Sequence, residues 1–567
     1  MNALASGDSG ALEPFVIYPA RRVITMNPAF PDGDAVAVSG ERILGVGSAQ
    51  DLASWGTHRV DDRFCEHVLM PGFIEAHCHV MSGGLWSFTY VGFFDRRDPQ
   101  GRLWPGCKSI DDVLERLRQA RAELDADTET FLAWGLDPIY FTGERLVARH
   151  LDTVTGDVAT LVLHASGHLA TVNSALMERC GIDDSSTSPG VARGGDGLAN
   201  GELHEPAGMM LAGEAFVEMM AANRTEQARW RYANEARNAG HTLLTDLGTT
   251  QLWDPDQLGN WQKVTSDPEY PARVMVALSN FFGAPADTDE LAELGARLKQ
   301  EQTSKLRFGI VKLILDGSIQ GFTARISWPH YYKPPPGHVG NGQWLTPPDQ
   351  MADLLEAYHR AGLTVHCHCN GDEASEVFID AVEQVLERHP RWDHRHTVQH
   401  CQLTTPAQYR RMAALGMCAN IFSNHIYYWG DQHRDATVGP ERAARMDACG
   451  TALAEGVSFS IHSDSPITPL GHLHTAWCAV NRVTASGEVL GPHERIGVPE
   501  ALRAITIEAA RQLKLDSEVG SIEAGKLADF AVLEDDPLSV DPMALRDIGV
   551  WGTVLGGVPQ PARVSAA

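Results

Sequence analysis

The sequence predicts an α/β protein whose main domain is a (β/α)8 TIM barrel, and three observations lead to this prediction. Short apolar segments rich in β-branched residues recur along the chain, and helical periodicity fills the intervals between them. Six residues that could bind a metal lie at the C-terminal ends of such segments, which is the barrel face that carries chemistry. Two turn-rich stretches of alternating hydrophobicity, one towards each end, predict a small β-domain beside the barrel.

The composition is that of an ordinary folded protein. The chain has 567 residues, 43% of them hydrophobic and 21% charged, and this length exceeds most single-core domains, so an accessory domain is expected. The net charge of -27 disfavours binding to nucleic acid or to an anionic membrane surface. No signal-peptide pattern and no run of about 18 apolar residues occurs. We therefore expect a cytoplasmic protein with a small-molecule substrate. A homo-oligomer is compatible with this composition, although no segment indicates an interface.

The two ends of the chain are predicted to share one domain. Residues 14–70 and 511–560 alternate like short antiparallel strands, and neither stretch has enough apolar residues for a core of its own. Together they are predicted to form a composite β-sandwich. Residues 1–13 are expected to be a loose tail.

Residues 71–510 are predicted to form the barrel. Eight buried-strand candidates occur in order, at 72–79, 242–249, 272–279, 308–316, 363–369, 396–402, 417–423 and 458–464. Helical patterns lie between several of them, at 348–361, 374–389 and 405–415. Alternation of strands and helices is the pattern of a parallel barrel.

A long insertion separates the first two strand candidates. About 160 residues are too many for a loop, and they contain helical patterns at 110–124 and 225–239. We expect residues 83–230 to form a subdomain over the active site. Two aromatic loops, at 328–344 and 424–433, are expected to act as lids.

A pair of histidines on the first strand candidate is the clearest functional signal. Side chains alternate along a strand, so His77 and His79 face one side and Cys78 the other. Two imidazoles suit zinc but do not complete a site. Partners are available at the ends of later strand candidates, namely Lys312, His368, His400 and Asp464. The alternatives are hydrogen-bonded core histidines and, for Asp464, the cap of a helix starting near Pro466.

The same alternation predicts a second polar layer. Glu75, His366 and His462 each lie two residues before a candidate ligand and should point into the barrel beneath it. A hydrogen-bonded layer of this kind would orient the ligands. Unrelated, individually satisfied core groups are the alternative. The ten cysteines lack zinc-finger spacing and are expected to be free thiols, with those beside the ligands facing away from them.

Several motifs together resemble the amidohydrolase superfamily and, within it, the third amidohydrolase family, which includes N-substituted formamide deformylases. The motifs occur in order over nearly the whole chain: PGFIEAHCH (71–79), VKLILDGS (311–318), HCNGD (368–372), VQHCQ (398–402), HSDSP (462–466) and GSIEAGKLADFAVLE (520–534). SGHLATVNS at 166–174 is similar to the family's glycine-histidine-asparagine motif. Glu75 stands where the family more often has aspartate, and His462 where it usually has glycine.

The resemblance implies a metal site with one or two divalent ions per chain, most simply zinc. In the binuclear arrangement, His77, His79 and Asp464 would hold one ion, and His368 and His400 the other. Lys312 would bridge the two as a carboxylated lysine, because a buried amine that has lost its charge can take up carbon dioxide. A salt bridge from Lys312 to Asp464 or Asp316 beside a single ion is the alternative. Manganese, nickel and iron are not excluded.

The expected reaction is hydrolysis of a linear, non-peptide C–N bond of the N-substituted amide or formamide type. The metal would generate hydroxide at neutral pH, and Asp464 would act as the general base and then as the general acid. Candidate substrate-binding residues are His168, Asn173, Tyr427 and Trp429; for the first two, capping and core roles are the alternative, and for the aromatic pair, ordinary loop packing.

Three other functions were compared with this one. Deaminases of the superfamily usually carry a glutamate three residues after the histidine of strand five, whereas Gly371 is found here after His368. Hydrolysis of a carbamate, a urea or an ester stays open, because the metals recognise a carbonyl. A non-catalytic scaffold would be expected to lack one or more ligands, and all six are present.

Overall fold

The computed structural model describes residues 14–125, 127–141, 145–248, 250–280, 287–335 and 340–563. The predicted N-terminal tail and part of the first aromatic loop, at 336–339, lie outside these ranges.

Eight parallel strands follow one another in space in the same order as in the chain. Strands one to eight are Phe73–Cys78, His241–Asp246, Arg273–Val276 with Leu278–Ser279, Leu306–Arg307 with Ile310–Ile314, Thr364–Cys369, Thr397–His400, Cys418–Ile421 and Ser458–Ile461. Each strand pairs in parallel with the next. Strands one to four form one sheet and strands three to eight form a second, because strands three and four each contribute one segment to either sheet. All eight predicted strands therefore occur, and their order and direction are those expected of a (β/α)8 barrel.

The C-terminal ends of strands one and eight lie side by side. The backbone N–H of His79 donates to the carbonyl of Ser465 at 2.8 Å. The backbone N–H of Ser463 donates to the Glu75 carboxylate. Residues from the first and the last strand are thereby brought to the same face of the molecule.

Helices cover the outer face of the parallel strands. They are Glu226–Asn238, Pro255–Ser266, Thr288–Leu298, Met351–Arg360, Asp372–Arg388, Pro406–Leu415, His425–Gln432, Pro440–Ala443, Cys449–Ala454, His472–Asn481, Val498–Ala504 and Ile507–Gln512, with short turns at Pro348–Gln350, His433–Thr437 and Pro492–Glu494. The largest core cluster lies between strands and helices and contains Cys78, Cys367, Cys369 and Cys401. These cysteines face away from the candidate ligands, as predicted from alternation, and all ten cysteines of the chain are free.

The insertion has a sheet of its own. Its strands are Thr89–Tyr90, Thr130–Leu136, Ala159–His164, Leu169–Val172, Val191–Arg193 and Ala199–His204, with a separate hairpin of Arg96–Arg97 and Leu103–Trp104. Its helices are Val80–Ser87, Ile110–Ala122, Pro138–Tyr140, Ala148–Thr155, Ser174–Cys180, Glu205–Met209, Met210–Ala212 and Gly213–Ala222. Two apolar clusters separate from the barrel core stabilise it. Helix Glu226–Asn238, by contrast, contributes Tyr232 and Ala236 to the barrel core.

Both termini contribute to one further sheet. It contains Phe15–Ile24, Asp32–Ser39, Arg42–Gly47, His58–Val60, Val68–Pro71, Phe530–Leu533, Val550–Leu555 and Val558–Pro561, with short helices at Ala49–Ala53, Asp62–Phe64 and Pro542–Asp547. The composite origin of this domain agrees with the prediction. Its eight strands are hydrogen-bonded into a single sheet, and the predicted division into two facing layers stays a prediction.

Candidate metal centre

The histidine pair on strand one meets Asp464 from the end of strand eight. Asp464 Oδ1 lies 3.3 Å from His77 Nε2 and 3.1 Å from His79 Nε2. Ligand atoms around a tetrahedral zinc ion stand about 3.3 Å apart, given bonds of about 2.0–2.1 Å. The three side chains therefore have the spacing of a metal site, although His77 and Asp464 are 387 positions apart in the sequence. No helix begins near Pro466 in this described segment; the next one starts at His472.

Lys312 reaches the same point from strand four. Its side chain is buried, and Nζ lies 3.4 Å from His77 Nε2. Burial lowers the pKa of Lys312 to about 8, while the nearby Asp464 carboxylate opposes this shift. Gly248 makes room for the lysine, since a Cβ there would lie 2.9 Å from Lys312 Cγ. The alternative to carboxylation, a salt bridge from Lys312 to Asp464 or Asp316, is not formed within 4.0 Å among these described side chains; the ion pairs of the two carboxylates are with histidines.

His368 and His400 complete the group. Their ring centroids are 4.5 Å apart, and the His77 and His400 centroids are 4.6 Å apart. His368 Nε2 lies 3.2 Å from the Gly317 carbonyl, an acceptor, and 3.0 Å from Asn370 Nδ2, a donor, so these contacts do not fix its tautomer. All six candidate ligands thus converge on one region.

The backbone is unusual at two of the ligands. His400 has φ +74° and Asp464 has φ +53°, and neither is a glycine. L-residues rarely adopt this conformation because of a steric penalty, and such strain is found most often at functional sites. At His400 it also interrupts the alternation of strand six, because Gln399 contacts the ligands while Val398 packs in the outer core.

Three imidazoles of the centre, those of His77, His368 and His400, are neutral. Burial is the largest cause that lowers the pKa of His368 to about 3 and the pKa values of His77 and His400 well below the usual 6.5. Lys312 nearby adds to each of these shifts. A neutral imidazole keeps one lone pair, which is the form that binds a metal.

A polar layer lies beneath the ligands and connects several of them. Gln399 Oε1 accepts from His77 Nδ1 at 2.7 Å, and Gln399 Nε2 donates to His366 Nδ1 at 2.8 Å. His462 lies 3.1 Å from His400 Nδ1 and 3.1 Å from Asn420 Oδ1. Sequence reasoning identified His366 and His462 but missed Gln399 and Asn420, whose signal is an amide inside each of two short buried strands.

Glu75 takes a different place from the one predicted. It is hydrogen-bonded neither to His366 nor to His462, but accepts from the backbone N–H of His77 and from Ser463. Burial raises its pKa to about 8. Glu75 therefore fixes the backbone of strand one and the turn after strand eight. His241 and His472 lie close to it, within 4.8 Å between potential donor atoms.

Unpaired buried atoms at the centre test whether a metal fits. Among the described residues, His79 Nδ1, His400 Nε2 and Asp464 Oδ1 are buried without a hydrogen-bond partner. Leaving such groups unpaired costs about 1–3 kcal/mol each. A bound cation would satisfy the lone pairs of His400 and Asp464, and imidazole and carboxylate are suitable donors for zinc. The residues present therefore fit a divalent metal.

Comparisons with known proteins agree with this chemistry. The sequence model described as the amidohydrolase family matches residues 66–560. The chain belongs to the amidohydrolase family. It is accordingly a metal-dependent hydrolase that acts on carbon–nitrogen bonds, and the resemblance derived from its motifs is confirmed.

Two relatives of this amidohydrolase match over most of their length. An N-substituted formamide deformylase from Arthrobacter pascens is 25% identical and covers 92% of this chain and 94% of its own. The protein LONG AFTER FAR-RED 3 from Arabidopsis thaliana is 26% identical over 94% of this chain and 89% of its own. A solved structure, an uncharacterized metal-dependent hydrolase from Pyrococcus horikoshii, superposes with a TM-score of 0.70 at 19% identity over 93% of this chain and 99% of its own, which supports the fold.

The insertion of this amidohydrolase places one of its two predicted substrate residues near the centre. His168 is about half-exposed, pairs with Glu205 at 2.9 Å, and lies close enough to His368 to contribute to lowering that residue's pKa. Asn173 is fully buried and caps helix Ser174–Cys180 by accepting from Leu176 N. The contacts of Asn173 favour the capping alternative over substrate binding.

The second aromatic loop is a helix, His425–Gln432, rather than an irregular lid. Trp429 and Tyr428 line a pocket between the insertion and the turn after Asp464, together with Phe94 and Tyr140. Tyr427 instead packs against His474 and Trp477 on the neighbouring helix. Tyr428 therefore takes the position that the sequence suggested for Tyr427. In the described part of the chain, no helix is both long and apolar enough to cross a membrane.

Proposed function

We propose that this amidohydrolase cleaves a linear, non-peptide C–N bond of the N-substituted amide or formamide type. The observation that carries the proposal is the convergence of His77, His79 and Asp464 on one point lined by buried, unpaired donor atoms. The relative named as an N-substituted formamide deformylase supports the choice of bond. Carbamates, ureas and esters are the alternative substrates.

The donor set supports two metal positions. His77, His79 and Asp464 would hold one zinc ion, and His368 and His400 would hold the other. Lys312 would join them as a carbamate. With its pKa lowered to about 8, a fraction of Lys312 is neutral at neutral pH and able to react with carbon dioxide.

Asp464 would carry the proton during hydrolysis. A divalent cation bound in this site would lower the pKa of a water molecule towards about 7 and would polarise a carbonyl. Asp464 Oδ1, which is buried and has no hydrogen-bond partner in the described structure, would bind the cation, and Oδ2 would accept the proton of the attacking water. The same carboxyl would then protonate the departing nitrogen, which otherwise leaves poorly.

The insertion would bind the rest of the substrate. His168, paired with Glu205, would donate a hydrogen bond to the substrate carbonyl. The pocket lined by Phe94, Tyr428 and Trp429 begins two residues beyond Asp464, at Pro466, and would accept an apolar N-substituent. We also propose that the parallel strands close into a barrel and that the terminal sheet folds into two layers.

The surroundings of Gly371 disfavour deamination. An ideal Cβ at this position would lie 1.7 Å from the Arg325 carbonyl, which no side chain could tolerate without movement of the backbone. The helix after strand five also begins at Asp372, so this glycine is its cap. A proton-carrying side chain at this position, as in deaminases of the superfamily, has no space.

Anomalous scattering tests the metal part of the proposal. Crystals grown with bicarbonate and measured at the zinc, iron, nickel and manganese edges should show two ions between His77 and His400, with extra density on Lys312. A single ion and an unmodified lysine would contradict the binuclear arrangement.

Turnover of a substrate panel tests the bond. We expect formamides and simple amides with apolar N-substituents to be hydrolysed faster than carbamates or esters, and aminopurines not at all. Asp464→Asn keeps the shape of the side chain and should lower kcat by about 100–10,000-fold. Preferential release of ammonia from aminopurines would overturn the proposal.

A further inference from the structure

The polar layer beneath the metal ligands is continuous from one proposed metal position to the other. Gln399 and Asn420 are register partners on strands six and seven, and Asn420 Nδ2 donates to Gln399 Oε1 at 2.8 Å. From Gln399 the chain of hydrogen bonds reaches His77. From Asn420 it passes through His462 to His400. Every residue along this path is buried.

The amide groups determine where the protons lie. A carbonyl oxygen can only accept, so His77 must donate from Nδ1 to Gln399 Oε1, and its lone pair is on Nε2. This Nε2 is the atom next to Asp464 and Lys312.

The hydrogen bonds from Asn420 through His462 to His400 fix the proton positions in the same way. His462 must donate from Nδ1 to Asn420 Oδ1, so its Nε2 accepts from His400 Nδ1. The lone pair of His400 is then on Nε2, which is the buried nitrogen without a hydrogen-bond partner among the residues described. Both branches therefore leave a lone pair on Nε2; that of His400 has no partner among the described residues, and that of His77 faces Lys312 Nζ at 3.4 Å.

We infer that Gln399 and Asn420 are positioning residues that fix the tautomers of His77 and His400 together, so that the two metal positions depend on one shared hydrogen-bond path. This inference rests on the proposed binuclear centre. It differs from a set of separate supports, in which Gln399 would serve only the ion held by His77 and Asn420 only the ion held by His400.

Metal binding to full-length variants tests the inference without relying on turnover. Gln399→Leu and Asn420→Leu keep much of the side-chain volume but remove the donors and acceptors. Zinc content would be measured by elemental analysis, and the affinity of each equivalent by competition with a chromogenic chelator. We expect each variant to weaken both equivalents by about 10–100-fold, as is usual for partners that orient metal ligands.

Two matched variants separate positioning from general damage to the core. Ser460 donates to Asn420 Oδ1 at 2.8 Å but lies outside the path, so Ser460→Ala should change both affinities by less than about twofold. Gln399→Glu retains the acceptor for His77 and should keep tighter binding than Gln399→Leu. The visible spectrum of the cobalt(II)-loaded protein should shift in Gln399→Leu and Asn420→Leu and stay unchanged in Ser460→Ala, provided circular dichroism shows the same fold.

The outcomes are distinguishable. If each leucine variant weakens only one equivalent, or neither, the shared path is wrong while the proposed centre stands. Wild-type protein that retains fewer than two equivalents would overturn the binuclear centre and this inference with it.

Discussion

Two clusters of buried histidines lie at opposite ends of strands five and six, and they differ in how their nitrogens are used. In the lower histidine cluster, defined as His359, His394 and His396, every ring nitrogen has a partner. In the metal centre, His79 Nδ1 and His400 Nε2 have none within the described structure. Residue type is the same in both, and His77 and His400 are as buried as the lower histidine cluster. A ring nitrogen without a partner therefore distinguishes His400 from the lower histidine cluster.

Each ring nitrogen of His359 and His396 in the lower histidine cluster has a defined role as a hydrogen-bond donor or acceptor. His359 Nε2 donates to the His389 carbonyl, and His359 Nδ1 accepts from His396 Nε2. His396 Nδ1 in turn accepts from Val365 N. The cluster therefore stabilises the fold without a cation, and it offers controls for every test of the centre.

The largest expected effect comes from exchanging the same residue type in the two clusters. His400→Ala should lower turnover by at least about 1,000-fold, because it removes the lone pair that we propose holds a cation. His396→Ala should keep both metal content and kcat within about threefold of wild type, because its nitrogens serve only the fold. Metal analysis and steady-state kinetics would measure both. Equal losses of metal and of turnover in the two variants would contradict the proposed difference between the two histidine clusters.

Stability should show the reverse order. His396→Ala leaves His359 Nδ1 and Val365 N unpaired and should lower the free energy of unfolding of the metal-free protein by about 2–5 kcal/mol. His400→Ala should cost less, because it removes one side-chain hydrogen bond, to His462, whereas His396→Ala removes two. Urea unfolding in the presence of a chelator measures the two values. A larger loss for His400→Ala would contradict the comparison.

Added zinc should stabilise only chains with an intact centre. At a free zinc concentration 100 times Kd, the gain is about 2.7 kcal/mol per site. Wild type and His396→Ala are expected to gain alike, whereas His400→Ala should gain less. Thermal unfolding with and without zinc gives this difference, and an equal gain in all three proteins would place the ion elsewhere.

The smallest effect concerns pH. Burial lowers the pKa of His394 to about 4, so between pH 4 and 6.5 the unfolded chain binds the proton that the folded chain does not. The contribution of His394 to stability is thus present above pH 6.5 and is lost as the pH falls through this window. His394→Asn should flatten the dependence of unfolding free energy on pH by up to about 1.4 kcal/mol per pH unit. An unchanged slope in urea titrations from pH 5 to 7 would show that His394 is not buried in its neutral form.

Strand order and the six converging side chains follow from the sequence because strands impose a two-residue period and parallel strands end on one face. This period correctly predicts that the side chains of His77 and His79 face the same side of strand one. It could not anticipate φ +74° at His400, which brings Gln399 inward in place of Val398. A positive φ outside glycine leaves little trace in the local sequence.

Side-chain roles in the insertion were harder to predict, because the same motif is compatible both with substrate binding and with helix capping. Asn173 at the start of a helix caps it, whereas His168 five residues earlier pairs with Glu205. Tyr427 and Tyr428 are adjacent, and helix His425–Gln432 turns them to different neighbours. Neither outcome follows from composition; both depend on the direction of a helix relative to the barrel.

The strand that leads into the histidine pair has its partner near the opposite end of the chain. Val68–Pro71 pairs antiparallel with Phe530–Leu533, and Gly72 N donates to the Asp529 carbonyl at 3.0 Å. During synthesis on the ribosome, residues 530–533 are therefore made about 450 residues after the histidine pair. Until then, strand Val68–Pro71, which leads into His77 and His79, lacks this hydrogen-bonded neighbour.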